Sequence, residues 1–243
     1  MRSARDRGAR SRSRPTESAP LGAPLFVLNL KSFSTALGAN AERIGRELER
    51  SGRRFKVAVA IAPSPLDVGR LARVLTIPVL AQHADPRDAG PHTGFVPPES
   101  IQASGGRGSL VNHSEHPLSI QDVREVVRLL RERELVPIVC AKDVADSRRL
   151  AAVRPAYLAV EPPELIGGHR SVSTAKPEVV AGAVLAVRKV SPRTRVLCGA
   201  GVHDRHDVRR ALELGSEGVL VASAVTKARD PKAAIEELLL GFR

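Results

Sequence analysis

The stretch "GSLVNHSEHPLSIQDVREVVRLLRERELVPIVCAK" (residues 108–142) decides the fold, because two continuous apolar runs flank a segment with helical periodicity. Ile120, Val123 and Val127 recur at helical spacing, and Ser119 with Asp122 forms a capping box at the start of that segment. The flanking runs lack polar alternation, which is typical of parallel strands buried on both faces of a sheet. The stretch therefore predicts a strand–helix–strand unit.

The same rhythm extends through the chain after residue 24. Apolar runs of this kind occupy residues 25–31, 57–63, 77–83, 108–114, 136–142, 157–162, 194–201 and 218–224. Eight strand–helix units in a chain of 243 residues are typical of the (β/α)8 barrel. A doubly wound open sheet usually has fewer strands and needs a glycine-rich first turn, where this chain has "NLKSF". We therefore predict an α/β protein with one (β/α)8 barrel domain at residues 24–243.

Two later segments carry the signals of helix ends. In "DVRRALELG" (207–215), apolar residues share one face and Gly215 is placed to end the helix. In "DPKAAIEELLLG" (230–241), Asp230 is an N-cap and Pro231 occupies the first helical position, where an N–H group is not needed. These signals predict helices after the seventh and eighth strands.

Composition narrows the range of partners. The net charge is +12, and part of it lies in residues 1–23, an Arg-rich segment without apolar periodicity that we predict to be a disordered basic extension. Aromatic residues make up 2% of the chain, so a stacking platform for single-stranded nucleic acid is not expected. No segment offers the ~20 consecutive apolar residues of a membrane span, so we expect a soluble protein with no membrane partner.

The cysteines and histidines give no metal pattern. Cys140 and Cys198 lie in apolar runs without CxxC spacing, which predicts buried thiols in a reducing cytoplasm. His203 and His206 follow the seventh run near a helix start, where capping or exposure is a better interpretation than metal ligation. A glycine-rich nucleotide cradle is also missing from the sequence. We therefore expect neither a metal nor a cofactor.

Polar residues cluster where the predicted strands end, which is where active sites lie in this fold. These residues are Asn29, Lys31, Asn112, His113, Glu115 and Glu161. An amine, an imidazole and a carboxylate at one face predict catalysis better than three unrelated solvated side chains do. The last two runs end in small residues, at 199–201 and 222–223, where this fold commonly holds a phosphate group on backbone N–H groups.

Several of these stretches together resemble the triosephosphate isomerase family, most closely its shorter archaeal-type branch. They are "NLK" (29–31 with its flank), "HTG" (92–94), "NHSE" (112–115), "AVEPPELIG" (159–167), "CGAG" (198–201) and "VLVASAV" (219–225). The likeness covers nearly all of residues 25–240. It implies a TIM-barrel isomerase without a cofactor that interconverts glyceraldehyde 3-phosphate and dihydroxyacetone phosphate through an enediolate, in glycolysis and gluconeogenesis.

The resemblance also implies roles for single residues. Glu161 would move a proton between neighbouring carbons, His113 would act as a neutral imidazole toward the substrate oxygens, and Lys31 would stabilise developing negative charge. Glu115 would support this geometry through an ion pair. The residues implied in substrate binding are Asn29, Leu30, Lys31, Ile166, Gly201, Ala222 and Ser223.

The segment after Glu161 resembles the family's lid loop but departs from it. Pro162 and Pro163 restrict the exit from the strand, and Ile166 would pack over the substrate. Where the family pattern reads Ile-Gly-Thr-Gly, this chain has Ile166-Gly167-Gly168-His169, and Arg170 follows. This departure leaves open an isomerase of a four-carbon phosphorylated ketose.

Two further expectations concern partners. "DAGPHTGFV" (88–96) resembles the family's protruding intersubunit loop, which implies a homo-oligomer, either a tetramer or a dimer. A catalytically silent barrel with a basic nucleic-acid-binding tail is the alternative from another functional class. The presence of Lys31, His113 and Glu161 argues against it, so the expected partner is a small phosphorylated triose.

Overall fold

The computed structural model describes residues 20–165 and 171–243, and these form a barrel of eight parallel strands. The strands are β1 (Leu25–Asn29), β2 (Ala58–Ala62), β3 (Leu80–Ala81), β4 (Gly108–Val111), β5 (Val136–Ala141), β6 (Tyr157–Val160), β7 (Arg195–Cys198) and β8 (Gly218–Val221). Their order in the sheet is β2-β1-β8-β7-β6-β5-β4-β3. A parallel bridge between Ile61 and Val79 joins the two outer strands and closes the cylinder. The predicted (β/α)8 fold is confirmed.

Helices separate successive strands along the chain. They are α1 (Ala39–Phe55), α2 (Val68–Val74), α3 (Pro98–Ala103), α4 (Ile120–Glu132), α5 (Val144–Ala151), α6 (Val172–Ala175), α7 (Pro177–Val190), α8 (Arg205–Glu213), α9 (Ser223–Thr226) and α10 (Pro231–Leu240). Single 3₁₀ turns occur at Ser34–Ala36, Pro65–Asp67 and Pro163–Leu165. The helices pack outside the strands, so each strand–helix unit turns back to begin the next parallel strand.

The predicted caps are present at the helix ends. The Ser119 side chain accepts a hydrogen bond from the Asp122 N–H, and Asp230 accepts from the first turn of α10, with Pro231 at its first position. Gly215 follows α8 with a φ of +90°, which a glycine adopts without a Cβ clash. The helix predicted from residue 207 begins earlier, at residue 205, because the Asp204 side chain caps its first N–H groups.

Strand residues alternate between two apolar layers. Side chains that point inward fill the barrel: Leu25, Val27, Ala60, Ala62, Leu80, Leu110, Val136, Ile138, Cys140, Tyr157, Ala159, Leu197 and Leu220. The intervening side chains, such as Phe26 and Leu28, pack in a larger layer between strands and helices. Cys140 and Cys198 are buried free thiols, as predicted. At the end of each strand, the next residue in this inward-pointing series faces the mouth of the barrel.

The described part of the N-terminal segment contacts the barrel. The Tyr157 hydroxyl donates a hydrogen bond to the Gly22 carbonyl at 2.7 Å, and Leu21 packs against the inner apolar layer. The expectation of disorder for residues 1–23 falls mainly on residues outside the described ranges. Among the described helices, none combines the length and the apolar character that a membrane crossing requires.

Candidate active site

A cavity of about 230 Å³ opens at the carboxyl ends of the strands. Its lining brings together most of the predicted site residues, namely Asn29, Lys31, His113, Glu115, Glu161, Gly201, Ala222 and Ser223. Leu30 does not line it, because its side chain is fully buried in the outer apolar layer. Ile166 lies outside the described residues. Groups separated by up to 194 residues in the chain thus face one small volume.

Glu161 continues the inward row of β6, after Tyr157 and Ala159, and its side chain therefore points into the barrel mouth. Its N–H donates to the Ala141 carbonyl at 2.7 Å, which fixes the backbone to β5. The residue is 3% exposed, and among described residues its Oε2 atom has no hydrogen-bond partner. Burial raises the pKa of the Glu161 carboxyl, an effect opposed by the nearby His113 and by the Cys140 thiol. The carboxylate is therefore a stronger base than an exposed glutamate.

His113 presents one ring nitrogen to the cavity and one to the backbone. The Glu115 N–H donates to His113 Nδ1 at 3.2 Å, so Nδ1 must carry a lone pair and the proton of the neutral ring sits on Nε2. Nε2 lies 3.7 Å from Oε1 of Glu161. An N–H donor and a carboxylate thus face the same point, which suits proton transfer at one carbon and hydrogen bonding to the adjacent oxygen.

Lys31 follows β1 in a left-handed backbone conformation, with φ of +50°. Such a conformation costs a non-glycine residue on the order of 1–3 kcal/mol and is retained where the surroundings enforce it. Here the Asn29 side chain accepts from the Lys31 N–H at 3.0 Å, and the Gln82 amide donates to the Lys31 carbonyl at 3.0 Å. The Lys31 ammonium then contacts Oε1 of Glu115 at 2.5 Å. The strained turn places this cation at the cavity wall.

The part of the cavity wall that follows β7 and β8 is built from small residues. Gly201, with φ of +67°, follows β7, and Ala222 and Ser223 follow β8, where Ser223 begins the short helix α9. The first N–H groups of a helix have no partner within that helix. This wall therefore offers backbone donors and little side-chain bulk, which suits the oxygens of an anionic group.

Two residues that were not predicted in the site, Cys140 and Lys227, contribute to it, and Gly199, predicted among the small residues of the phosphate corner, has a second role. Gly199 lines the cavity, and a Cβ at this position would lie 2.4 Å from Cγ of Glu161. The buried thiol of Cys140, which the sequence places in the core, opposes the rise in the pKa of the Glu161 carboxyl. Lys227 lines the cavity one helical turn after Ser223. The i, i+4 spacing from Ser223 could have indicated that Lys227 lies near the cavity. For Cys140 the corresponding feature is the pairing of β5 with β6, which sets it opposite Ala159, two residues before Glu161.

Metal ligation finds no support in the described residues, since they contain no group of three or more His, Cys, Asp or Glu side chains arranged to hold an ion. His203 lies beside the start of α8, where its N–H donates to Asp207 at 3.0 Å.

Comparisons with known protein families, sequences and structures all find triosephosphate isomerases. The family model described as triosephosphate isomerase matches residues 24–238. The triosephosphate isomerase of Methanothermus fervidus is 46% identical over 216 residues, covering 89% of this chain and 97% of that protein. The corresponding protein of Methanosarcina barkeri is 42% identical over 219 residues, covering 90% and 99%. The crystal structure of triosephosphate isomerase from Bartonella henselae superposes with a TM-score of 0.72 at 18% identity, covering 87% and 97% of the chains, and supports the fold.

Proposed function

The chain belongs to the triosephosphate isomerase family, and from this premise we propose how its residues interconvert glyceraldehyde 3-phosphate and dihydroxyacetone phosphate. It is an intramolecular aldose–ketose isomerase of glycolysis and gluconeogenesis. The observation that carries the proposal is the 3.7 Å approach of His113 Nε2 to Oε1 of Glu161 at the floor of a single cavity.

Glu161 removes a proton from the carbon beside the substrate carbonyl and returns it to the neighbouring carbon. The C–H electron pair forms the C=C bond of an enediolate, and the carbonyl oxygen takes up negative charge. A carboxylate that is 3% exposed is poorly solvated, so it is a more effective base than one in water. The raised pKa of Glu161 supports this assignment.

His113 stabilises the enediolate through its Nε2–H group. The proton on Nε2 follows from the Glu115 N–H, which occupies the lone pair of Nδ1. The neutral ring gives its Nε2 proton to one substrate oxygen, and the Nε2 lone pair left behind then takes the hydroxyl proton from the other oxygen, so the ring ends neutral with its proton restored. The backbone donor thus selects the tautomer that the reaction needs.

Lys31 supplies the positive charge that the enediolate and the phosphate require. Its left-handed turn, supported by Asn29, holds the ammonium at the cavity wall. We assign phosphate binding to the backbone donors near Gly201, Ala222 and Ser223. Binding roles for Leu30 and Ile166 stay predictions, since Leu30 is buried away from the cavity and Ile166 lies outside the described residues.

We infer that the chain forms a homo-oligomer through the loop at 88–96. This loop exposes Phe95, 45% of which is accessible, and the Arg87 guanidinium lies 4.7 Å from the Phe95 ring centroid. An exposed aromatic ring at a loop tip suits burial against a second copy. Size-exclusion chromatography with light scattering should give a dimer or tetramer, and an active monomer would contradict this inference. A cytoplasmic location is proposed on the same footing, from the enzyme's place in central metabolism.

The test is a coupled kinetic assay of the full chain with glyceraldehyde 3-phosphate and, separately, with a four-carbon keto-phosphate. We expect faster turnover of the triose, and loss of turnover by at least about a hundredfold in Glu161→Gln because a general base is removed. Faster turnover of the tetrulose would favour the alternative substrate associated with His169 and Arg170. Normal activity of the Gln variant would show that Glu161 is not the base.

A further inference from the structure

The charged side chains that line the cavity are unevenly paired. Within the described part of the chain they are Lys31, Glu115, Glu161 and Lys227. Lys31 contacts Glu115 at 2.5 Å, so the positive charge of Lys31 is largely balanced before any ligand enters. Lys227 has no carboxylate partner among the described residues. It is therefore the cation whose field is least compensated at the cavity.

Lys227 is held at the cavity by two local features. It is the C-cap of α9, where its N–H donates to the Ser223 carbonyl at 3.1 Å, so it stands one turn beyond the wall of small residues. Its ammonium lies 5.2 Å from the ring centroid of Phe33, which also lines the cavity. A cation over an aromatic face is attracted by the ring, which favours the conformer that keeps the amine at the cavity mouth.

We propose that Lys227 is a further substrate-binding residue, whose ammonium attracts the dianionic phosphate group of the substrate. This inference rests on the proposed function. With Lys227 present, the two ammonium groups of the cavity balance its two carboxylates; without it, one negative charge is in excess and opposes an incoming dianion. Lys227 acts on binding of the phosphate end, and proton transfer stays with Glu161 and His113, which lie 3.7 Å apart.

The proposal predicts a separation of KM from kcat in Lys227→Met. We expect KM for glyceraldehyde 3-phosphate to rise by about five- to tenfold at low salt, while kcat stays within about twofold, because a charge at the mouth acts on encounter and binding. The ratio of variant to wild-type KM should fall toward one at 0.5 M salt, since the ammonium is exposed and screened there. Lys227→Arg should restore the wild-type KM.

A matched control removes the same charge from the opposite end of the barrel. Lys189 lies in the last turn of α7, which ends near the amino ends of the strands. Lys189→Met lowers the net charge equally, so an unchanged KM in this variant separates the local field from the overall charge. Phe33→Leu should give an intermediate rise in KM, because it removes the ring but keeps the amine.

Inorganic phosphate provides a readout that does not depend on turnover. Its competitive inhibition constant should rise in Lys227→Met by a factor similar to that of KM, and calorimetric titration of phosphate into the Glu161→Gln background should repeat the effect. A KM and an inhibition constant within 1.5-fold of wild type, in a variant with an unchanged unfolding temperature, would overturn the proposal. An inactive wild-type chain would instead overturn the proposed function, so the two failures are distinguishable.

Discussion

Gly199 leaves the space in which the Glu161 side chain lies, and Gly199→Ala is the sharpest perturbation of that arrangement. A Cβ at residue 199 would stand 2.4 Å from Cγ, 3.0 Å from Cδ and 3.0 Å from Oε1 of Glu161. The backbone of residue 199 is not among those with positive φ, so alanine introduces this contact without a separate backbone strain. The substitution therefore acts directly on the Glu161 carboxylate, the proposed base.

The magnitude follows from contact distances. Non-bonded carbon atoms prefer separations of about 3.5–4.0 Å, so the Glu161 side chain has to move by about 1 Å. A misplacement of about 1 Å in a catalytic group lowers the rate by about a hundredfold, which equals about 2.7 kcal/mol in the activation barrier. Overpacking of a buried site also destabilises a protein by about 1–3 kcal/mol. We expect a loss in kcat that exceeds any change in KM.

The assay measures kcat and KM with glyceraldehyde 3-phosphate, together with the free energy of unfolding. Gly69→Ala in α2 is the matched control, since its new Cβ would meet no atom closer than Ser104 Cβ at 3.6 Å. The control should keep kcat unchanged and gain up to about 1 kcal/mol of stability, because alanine favours the helix. The comparison isolates the contact with Glu161 from the general effect of an added methyl group.

A double-mutant cycle separates a local effect on Glu161 from a general loss of folded protein. Glu161→Asp removes one methylene and so relieves part of the contact with an alanine at residue 199. In the Gly199→Ala background it should therefore reduce kcat by a smaller factor than in the wild type, with a coupling of at least about 0.5 kcal/mol. Strict additivity, or a folded Gly199→Ala variant with kcat within threefold of wild type, would show that residue 199 does not control the position of the Glu161 carboxylate.

Three further predictions concern charge. Burial raises the pKa of Glu161 above its ordinary value of 4.5, so the contribution of this group to folding stability is complete below pH 4.5 and is lost as pH rises through the folded-state pKa. Relative to wild type, Glu161→Gln should therefore gain most stability near pH 8 in unfolding titrations. An equal gain at pH 4 would contradict this prediction. Glu115→Gln breaks the exposed pair with Lys31 and should change the free energy of unfolding by no more than about 1 kcal/mol in urea titrations, where a larger loss would show a buried structural role. Burial, together with the stacked His116 ring, lowers the pKa of His83, although Asp85 opposes this shift. The stability that neutral His83 contributes is therefore present above pH 6.5 and is lost as pH falls. Below pH 6.5 wild type should lose stability more steeply than His83→Gln, by at most about 1.4 kcal/mol per pH unit, and parallel curves would exclude the effect.

Strand positions were predictable because a continuous apolar run bounded by polar residues is a local feature of the sequence. The eight apolar runs contain all eight strands, although β3 is reduced to two residues within the run at 77–83. Pro78 explains part of this reduction, since it has no N–H for a strand ladder and its carbonyl accepts from Ile61 instead. The helix α8 begins two residues before residue 207, because the Asp204 side chain accepts hydrogen bonds from the N–H groups of His206 and Asp207.

The sequence alone was enough to predict the barrel and the strand ends that carry Asn29 and Glu161, because both depend on local apolar runs. The tertiary structure alone decided that His113 approaches Glu161 to 3.7 Å, that Gly199 clears the space beside that carboxylate, and that Lys227 reaches the same cavity. These contacts depend on closure of the cylinder and on the stagger of its strands. Both are set by the packing of the whole chain, which no local pattern encodes.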